Sequence, residues 1–139
     1  MHLFRLRLHR PSIVCLAVLV AVAAVWPALA SEPFPFGSEL MLDTAPMHGS
    51  KRIPMLEIED NGTASIDLWC TSVKAQATVN DAAIAIVPGN APAAQCDPDR
   101  QARDADLLAT LTQVTGWRRH GEVVELTGPM PLRFRLLTN

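Results

Sequence analysis

Four carboxylates crowd one stretch of the chain: Asp97, Asp99, Asp104 and Asp106. Carboxylates so grouped can shuttle a proton or hold a cation. The EF-hand spacing is missing, however, and a simpler account is at hand. Asp97 precedes Pro98 and can cap a helix, Asp99 carries negative charge close to that helix's positive end, and the others fit a solvated face. No catalytic residue, cofactor or metal is therefore assigned. His48 and His120 are the histidines downstream of the leader described below, and neither belongs to a nucleophile motif such as GxSxG. Both read as surface residues.

Cys70 and Cys96 are the other chemically capable pair. Their separation rules out a CxxC motif, and no histidine lies near enough in sequence to suggest a zinc site. A structural disulfide is the expectation, with a reduced pair or a redox or metal pair as alternatives. Closing a loop of this length contributes about 3 to 4 kcal/mol, a large share of the roughly 5 to 15 kcal/mol of a small domain. Trp117, Arg118, Arg119, Arg133 and Arg135 form a possible partner patch, since Trp and Arg are favoured at interface hot spots. Outward arginines also guard strand edges against aggregation, which is the competing explanation.

The address of the chain decides which of these chemistries is available. Residues 1–10 carry three arginines and no acid, residues 13–25 are apolar, and Ala28-Leu29-Ala30 places small residues before a cleavage point. This is the layout of a secretory signal peptide. The apolar run is shorter than the roughly 20 residues of a spanning helix, so residues 1–30 are expected to be removed and no membrane anchor retained. Cys15 leaves with the leader. It follows Val14, where a lipoprotein signal needs a small residue. Removing three of the 12 basic residues and none of the 14 acids leaves a net charge of −5. An acidic domain without a basic cluster has no electrostatic footprint for nucleic acid.

The elements that must position these residues are short strands and one helix. Residues 31–38, in which Pro33 and Pro35 alternate with Phe34 and Phe36, read as an extended lead-in; the domain proper is residues 39–139. Residues 39–43 are a strand candidate, and residues 45–54 a proline- and glycine-bearing loop. Two alternating runs flank Asp60-Asn61-Gly62, the strongest hairpin signal in the chain. Leu56 and Ile58 share one face, and Ala64, Ile66, Leu68 and Cys70 share one face of the returning strand. Asn61-Gly62-Thr63 matches a glycosylation acceptor, but the turn already accounts for it. Residues 73–79 and 83–87 form a second hairpin, and residues 88–95 a crossing loop.

A helix is expected over residues 98–115, its stripe made of Leu107, Leu108, Leu111 and Val114 and its end marked by Gly116. Residues 117–120 and 122–127 form a third hairpin about Gly121. Residues 132–136 close the chain with Leu132, Phe134 and Leu136 inward. The fold class is α+β: a strongly bent antiparallel sheet or partial β-barrel of about seven or eight strands, with one amphipathic helix packed on it.

In this order of elements the chain resembles the META/HslJ family of bacterial cell-envelope domains. The likeness lies in Leu56-Glu57-Ile58-Glu59 with its Gly62 turn, the strand ending in Cys70, Cys96 before a helix, the helix body at residues 107–115, residues 122–126 and Leu132-Arg133-Phe134. It spans residues 36–137. The family has a glycine before its first cysteine and an asparagine after it, where this chain has Trp69 and Thr71. It has a methionine-alanine pair before the second, where this chain has Ala94-Gln95. The resemblance implies a secreted or periplasmic α+β domain, without catalysis, associated with envelope stress or accessory roles. Its partner would be a protein or envelope component, and the domain a monomer. A secreted inhibitor that plugs a hydrolase such as a lysozyme with residues 47–52 is the alternative, and a hydrolase built on the helix aspartates the third.

Overall fold

The computed structural model describes residues 32–138 except Ala94, so the expected leader lies outside the described residues. Eight strands follow one another in a meander: β1 (Leu40–Leu42), β2 (Met55–Ile58), β3 (Thr63–Asp67), β4 (Ser72–Asn80), β5 (Ala83–Pro88), β6 (Gly116–His120), β7 (Val123–Thr127) and β8 (Leu132–Leu136). Each pairs antiparallel with its neighbours in sequence, and β8 returns to β1 through Leu40↔Leu136 and Leu42↔Phe134. The sheet is thus a closed barrel, which removes the exposed edges of an open sheet.

Alternation in the sequence explains the filling. Leu56, Ile58, Ala64, Ile66, Val73, Ala75, Ala77, Ile84, Ile86, Val124, Leu126 and Phe134 are all buried, because a period of two sends every second side chain inside. Leu132 and Leu136, expected inward, are only half-buried beside Phe134. The β2–β3 turn is held by the Asn61 side chain, whose Oδ1 accepts the Thr63 N–H at 2.8 Å. That local bond is the Asx-turn chemistry that makes Asn a turn residue.

One seam is short. β5 meets β6 only at Ala83↔Gly116, flanked by Ile84 N–H to Thr115 O at 3.2 Å and Trp117 N–H to Ala82 O at 3.0 Å. A Cβ on Gly116 would fall 2.7 Å from Thr127 Oγ1 and 3.0 Å from Ala82 O, so a larger residue at this crossing would force the Thr127 side chain and the Ala82 carbonyl to shift. Beyond the seam, helix α1 (Pro98–Leu111) lies against β5 and sends Leu107 and Leu111 into the core. The helix therefore completes the wall where strand pairing stops.

The helix starts as expected, with Asp97 Oδ1 accepting the Asp99 N–H at 2.9 Å and Pro98 in the first turn. Its end differs from the expectation: it stops at Leu111 with Thr112 as cap, and Gly116 belongs to β6. The reason is competition for backbone donors. Thr115 N–H is taken by Thr127 O at 2.8 Å, so the chain has left the helix before the glycine, and Val114 reaches the core from the connection.

The antiparallel order sends residues 43–54, residues 68–71, the segment carrying α1 and the β7–β8 turn to one end of the barrel. The lead-in crosses the opposite end. There Phe34 is buried and packs edge-on to Trp117, their centroids 5.1 Å apart, with Phe36 5.0 Å from Phe34.

Candidate functional site

The corner between β3 and β4 is where sequence expectation and structure differ most. Alternation through Leu68 and Cys70 would carry a strand to the cysteine. Instead β3 stops at Asp67, residues 68–71 turn sharply, and Leu68 N–H bonds Thr71 O at 2.7 Å. With the alternation broken, Trp69 as well as Leu68 is buried, and Cys70 is half-buried beside the helix.

Two ties hold this corner to α1. The first is covalent: Cys70 and Cys96 form a disulfide, with Cα atoms 6.1 Å apart. The second is a pair of hydrogen bonds to a carboxylate. Asp104 is the one buried charged residue among those described, and its carboxylate accepts Trp69 N–H at 2.9 Å and Cys70 N–H at 3.1 Å. This corrects the expectation of a solvated face for Asp104. Burial pushes its carboxyl above the ordinary value of 3.8, and the N–H groups of Cys70, Trp69 and Thr71 oppose that rise. The sequence did hold the signal: Asp104, Leu107, Leu108 and Leu111 fall at i, i+3, i+4 and i+7, so a carboxylate occupies the leucine stripe itself.

The other three aspartates stay apart from it. Asp97 caps the helix, Asp99 is exposed in the first turn, and Asp106 is exposed with its carbonyl accepting the Thr110 hydroxyl. Among the described residues, no three His, Cys, Asp or Glu side chains stand together as a metal cage would require.

A hollow flanks the corner on each side. One, of about 260 Å³, is bounded by Cys70, Thr71, Pro92, Gln101 and Asp104. The other, of about 370 Å³, lies between the loop carrying Thr44, Pro46, Met47 and His48, residue Trp69 and Arg103 of α1. Trp69 is 8 % exposed, and its indole N–H is buried without an acceptor among the described residues. An unpaired buried donor costs about 1 to 3 kcal/mol. Arg103 is exposed and forms no ion pair among the described residues. Neither Met47, His48 nor Arg103 had a sequence motif to mark it, because a loop and a helix distant in sequence converge here.

The residues of the possible partner patch are not presented as one surface. Trp117 is buried, with its indole N–H donating to Asn80 O at 3.2 Å. Arg118, Glu125 and Arg133 align across β6, β7 and β8, where Arg118 and Glu125 form an ion pair at 2.9 Å. Arg119 turns to the lead-in, donating to Gly121 O at 2.8 Å and lying 3.9 Å from Glu32. Arg135 pairs with Asp43 at 3.2 Å. Much of the expected positive charge is thus neutralised within the barrel wall. His120 is exposed at the end of β6, remote in register from the corner.

Comparison with known proteins adds a family. The family model described as META domain matches residues 38–136. No curated protein and no solved structure matches the chain.

Proposed function

The chain belongs to the META domain family, and from that premise we propose that it is a non-enzymatic, exported monomer that binds a protein or another component of the cell envelope. Its role is accessory or stress-related. The binding surface is the barrel end carrying the Trp69–Cys70 corner. Supporting this is the double tie of that corner, by Asp104 and by the disulfide, beside a hollow framed by Met47, His48 and Arg103. A surface held rigid before its partner arrives loses less freedom on binding.

Export rests on the leader-like residues 1–30, with cleavage near Ala30, and is supported by the disulfide, a bond that persists in oxidising compartments. No described helix is long and apolar enough to cross a membrane.

The test is crosslinking in intact cells. A photo-crosslinking residue at His48 is expected to capture a discrete envelope partner, whereas the same residue at Asp60, on the opposite end of the barrel, is not. Equal capture at both positions would remove the assignment of the surface. Catalytic turnover lost in the Asp97→Asn, Asp99→Asn or Asp106→Asn variant would overturn the non-enzymatic reading.

The inhibitor reading has one observation in its favour. Lys51 and Arg52 are exposed on the same loop as Met47 and His48, at the same end. Stoichiometric inhibition of a lysozyme-type hydrolase, abolished by changes in residues 47–52, is its expected result.

A further inference from the structure

The larger hollow beside Trp69 has a chemical character that names a ligand class. Its lining mixes polar and apolar surface, the apolar part coming from Ala45, Pro46, Met47 and Trp69, and the titratable groups lining it are Arg103 and His48 with no carboxylate among them. The chain as a whole is acidic, so a recess lined by the Arg103 guanidinium and no carboxylate contrasts with the rest of the molecule. A volume of about 370 Å³ falls within the range of small-ligand sites. It is large enough for one or two amino-acid residues.

Two donors carried by the lining residues are unmatched. Arg103 has no anionic partner among the described residues, and a guanidinium is the side chain whose fork fits a carboxylate through two parallel hydrogen bonds. The Trp69 indole N–H is buried without an acceptor. A phenylalanine would supply the same apolar wall without that unmet donor, so the nitrogen gains value when a ligand oxygen accepts from it.

We propose that this recess binds the C-terminal carboxylate of a peptide whose last residue is apolar, with Arg103 taking the carboxylate, Met47 and Pro46 packing on the terminal side chain, and Trp69 supplying a second donor. This deepens the binding reading given above and rests on it. It also gives the departure at Trp69 a use: a glycine there would offer neither wall nor donor.

The test uses the disulfide-bonded chain without residues 1–30 and two probes, N-acetyl-Ala-Phe and its C-terminal amide. They share shape and differ in the charge that Arg103 would recognise. In nitrogen-labelled protein the described indoles report separately. The Trp69 N–H resonance should move on titration with the acid. That of Trp117, already bonded to Asn80 O, should not.

The acid should bind about tenfold or more tightly than the amide, and Arg103→Gln, an exposed change, should erase that preference while Arg133→Gln leaves it. Equal binding of acid and amide, or an unchanged preference in Arg103→Gln, would overturn the proposal. So would a Trp69 signal that stays still at millimolar acid. If His48 still captures an envelope partner in cells while the acid fails, the ligand class is wrong and the binding reading stands. If neither occurs, both fall.

Discussion

Asp104 accepts the backbone N–H of Cys70 at 3.1 Å, so the residue at one end of the disulfide is also held by a buried carboxylate of the helix. Trp69 N–H bonds the same carboxylate at 2.9 Å. In Asp104→Ala both donors lose their acceptor, one of them fully buried. The expected loss is about 2 to 4 kcal/mol, enough to lower the melting temperature of a domain this size by roughly 10 °C or more. Asp104→Asn keeps one acceptor oxygen and should lose less. Circular dichroism melts of the three proteins check the order.

Acidity should act on Asp104 and Glu125 in opposite senses. Burial raises the Asp104 carboxyl above 3.8, so the folded state holds this proton more tightly than the unfolded chain. Its contribution is complete below the ordinary value and is lost as pH rises through the raised one. Glu125 is the reverse: the hydrogen bond from Arg118 holds it below 4.5, so its contribution is present above that value and is lost as pH falls through the lowered one. The stability difference between the native chain and Asp104→Asn should therefore shift against the native chain as pH rises from 4 to 7. The difference from Glu125→Gln should shift in its favour from below pH 4 to 5. Urea titrations at stepped pH read both slopes, and slopes of equal sign would contradict this assignment.

Reduction of the disulfide should weaken the domain without dismantling the barrel. Cys70 and Cys96 are 26 residues apart, and a loop of that size implies about 3 to 4 kcal/mol in the chain-entropy account. Asp104 remains as the second tie, so the reduced protein should retain its far-ultraviolet spectrum at 25 °C and unfold at lower denaturant. Mass spectrometry after alkylation should show two added groups only with reductant. Two groups added without it would mean that the native pair is reduced.

The barrel was legible in the chain because a period of two, interrupted by Asn61-Gly62 and Gly121, states both strand and turn locally. Local patterns also placed the helix start, since Asp97 and Pro98 act within one turn of themselves. What could not be read was settled by distant partners. Thr127 takes Thr115 N–H and ends the helix early, and Asp104 takes the corner amides and turns Trp69 inward. The surroundings of the possible partner patch were set at a distance in the same way: Trp117 sits on the barrel's inner parity and is buried, and Arg118 meets Glu125 only once β6 and β7 are in register. The recess at Met47, His48 and Arg103 could not be read as a unit, because no two of its three walls are adjacent in sequence.

Two turn glycines separate backbone strain from steric collision. Gly62 and Gly121 both have positive φ, 86° and 60°, so alanine at either would adopt a conformation unfavourable for L-residues. Their surroundings differ. A Cβ on Gly62 would meet Ala77 O at 2.8 Å, whereas one on Gly121 would meet nothing within 4 Å. Gly62 O also accepts Ala77 N–H at 2.8 Å, so the turn cannot move away without breaking a bond between the hairpin and β4. Gly121→Ala is expected to cost about 1 kcal/mol, and Gly62→Ala roughly 2 kcal/mol or more. Chemical denaturation of the two variants measures the gap. Equal losses would mean that the contact at Ala77 relaxes freely, leaving backbone strain alone to set the cost at both turns.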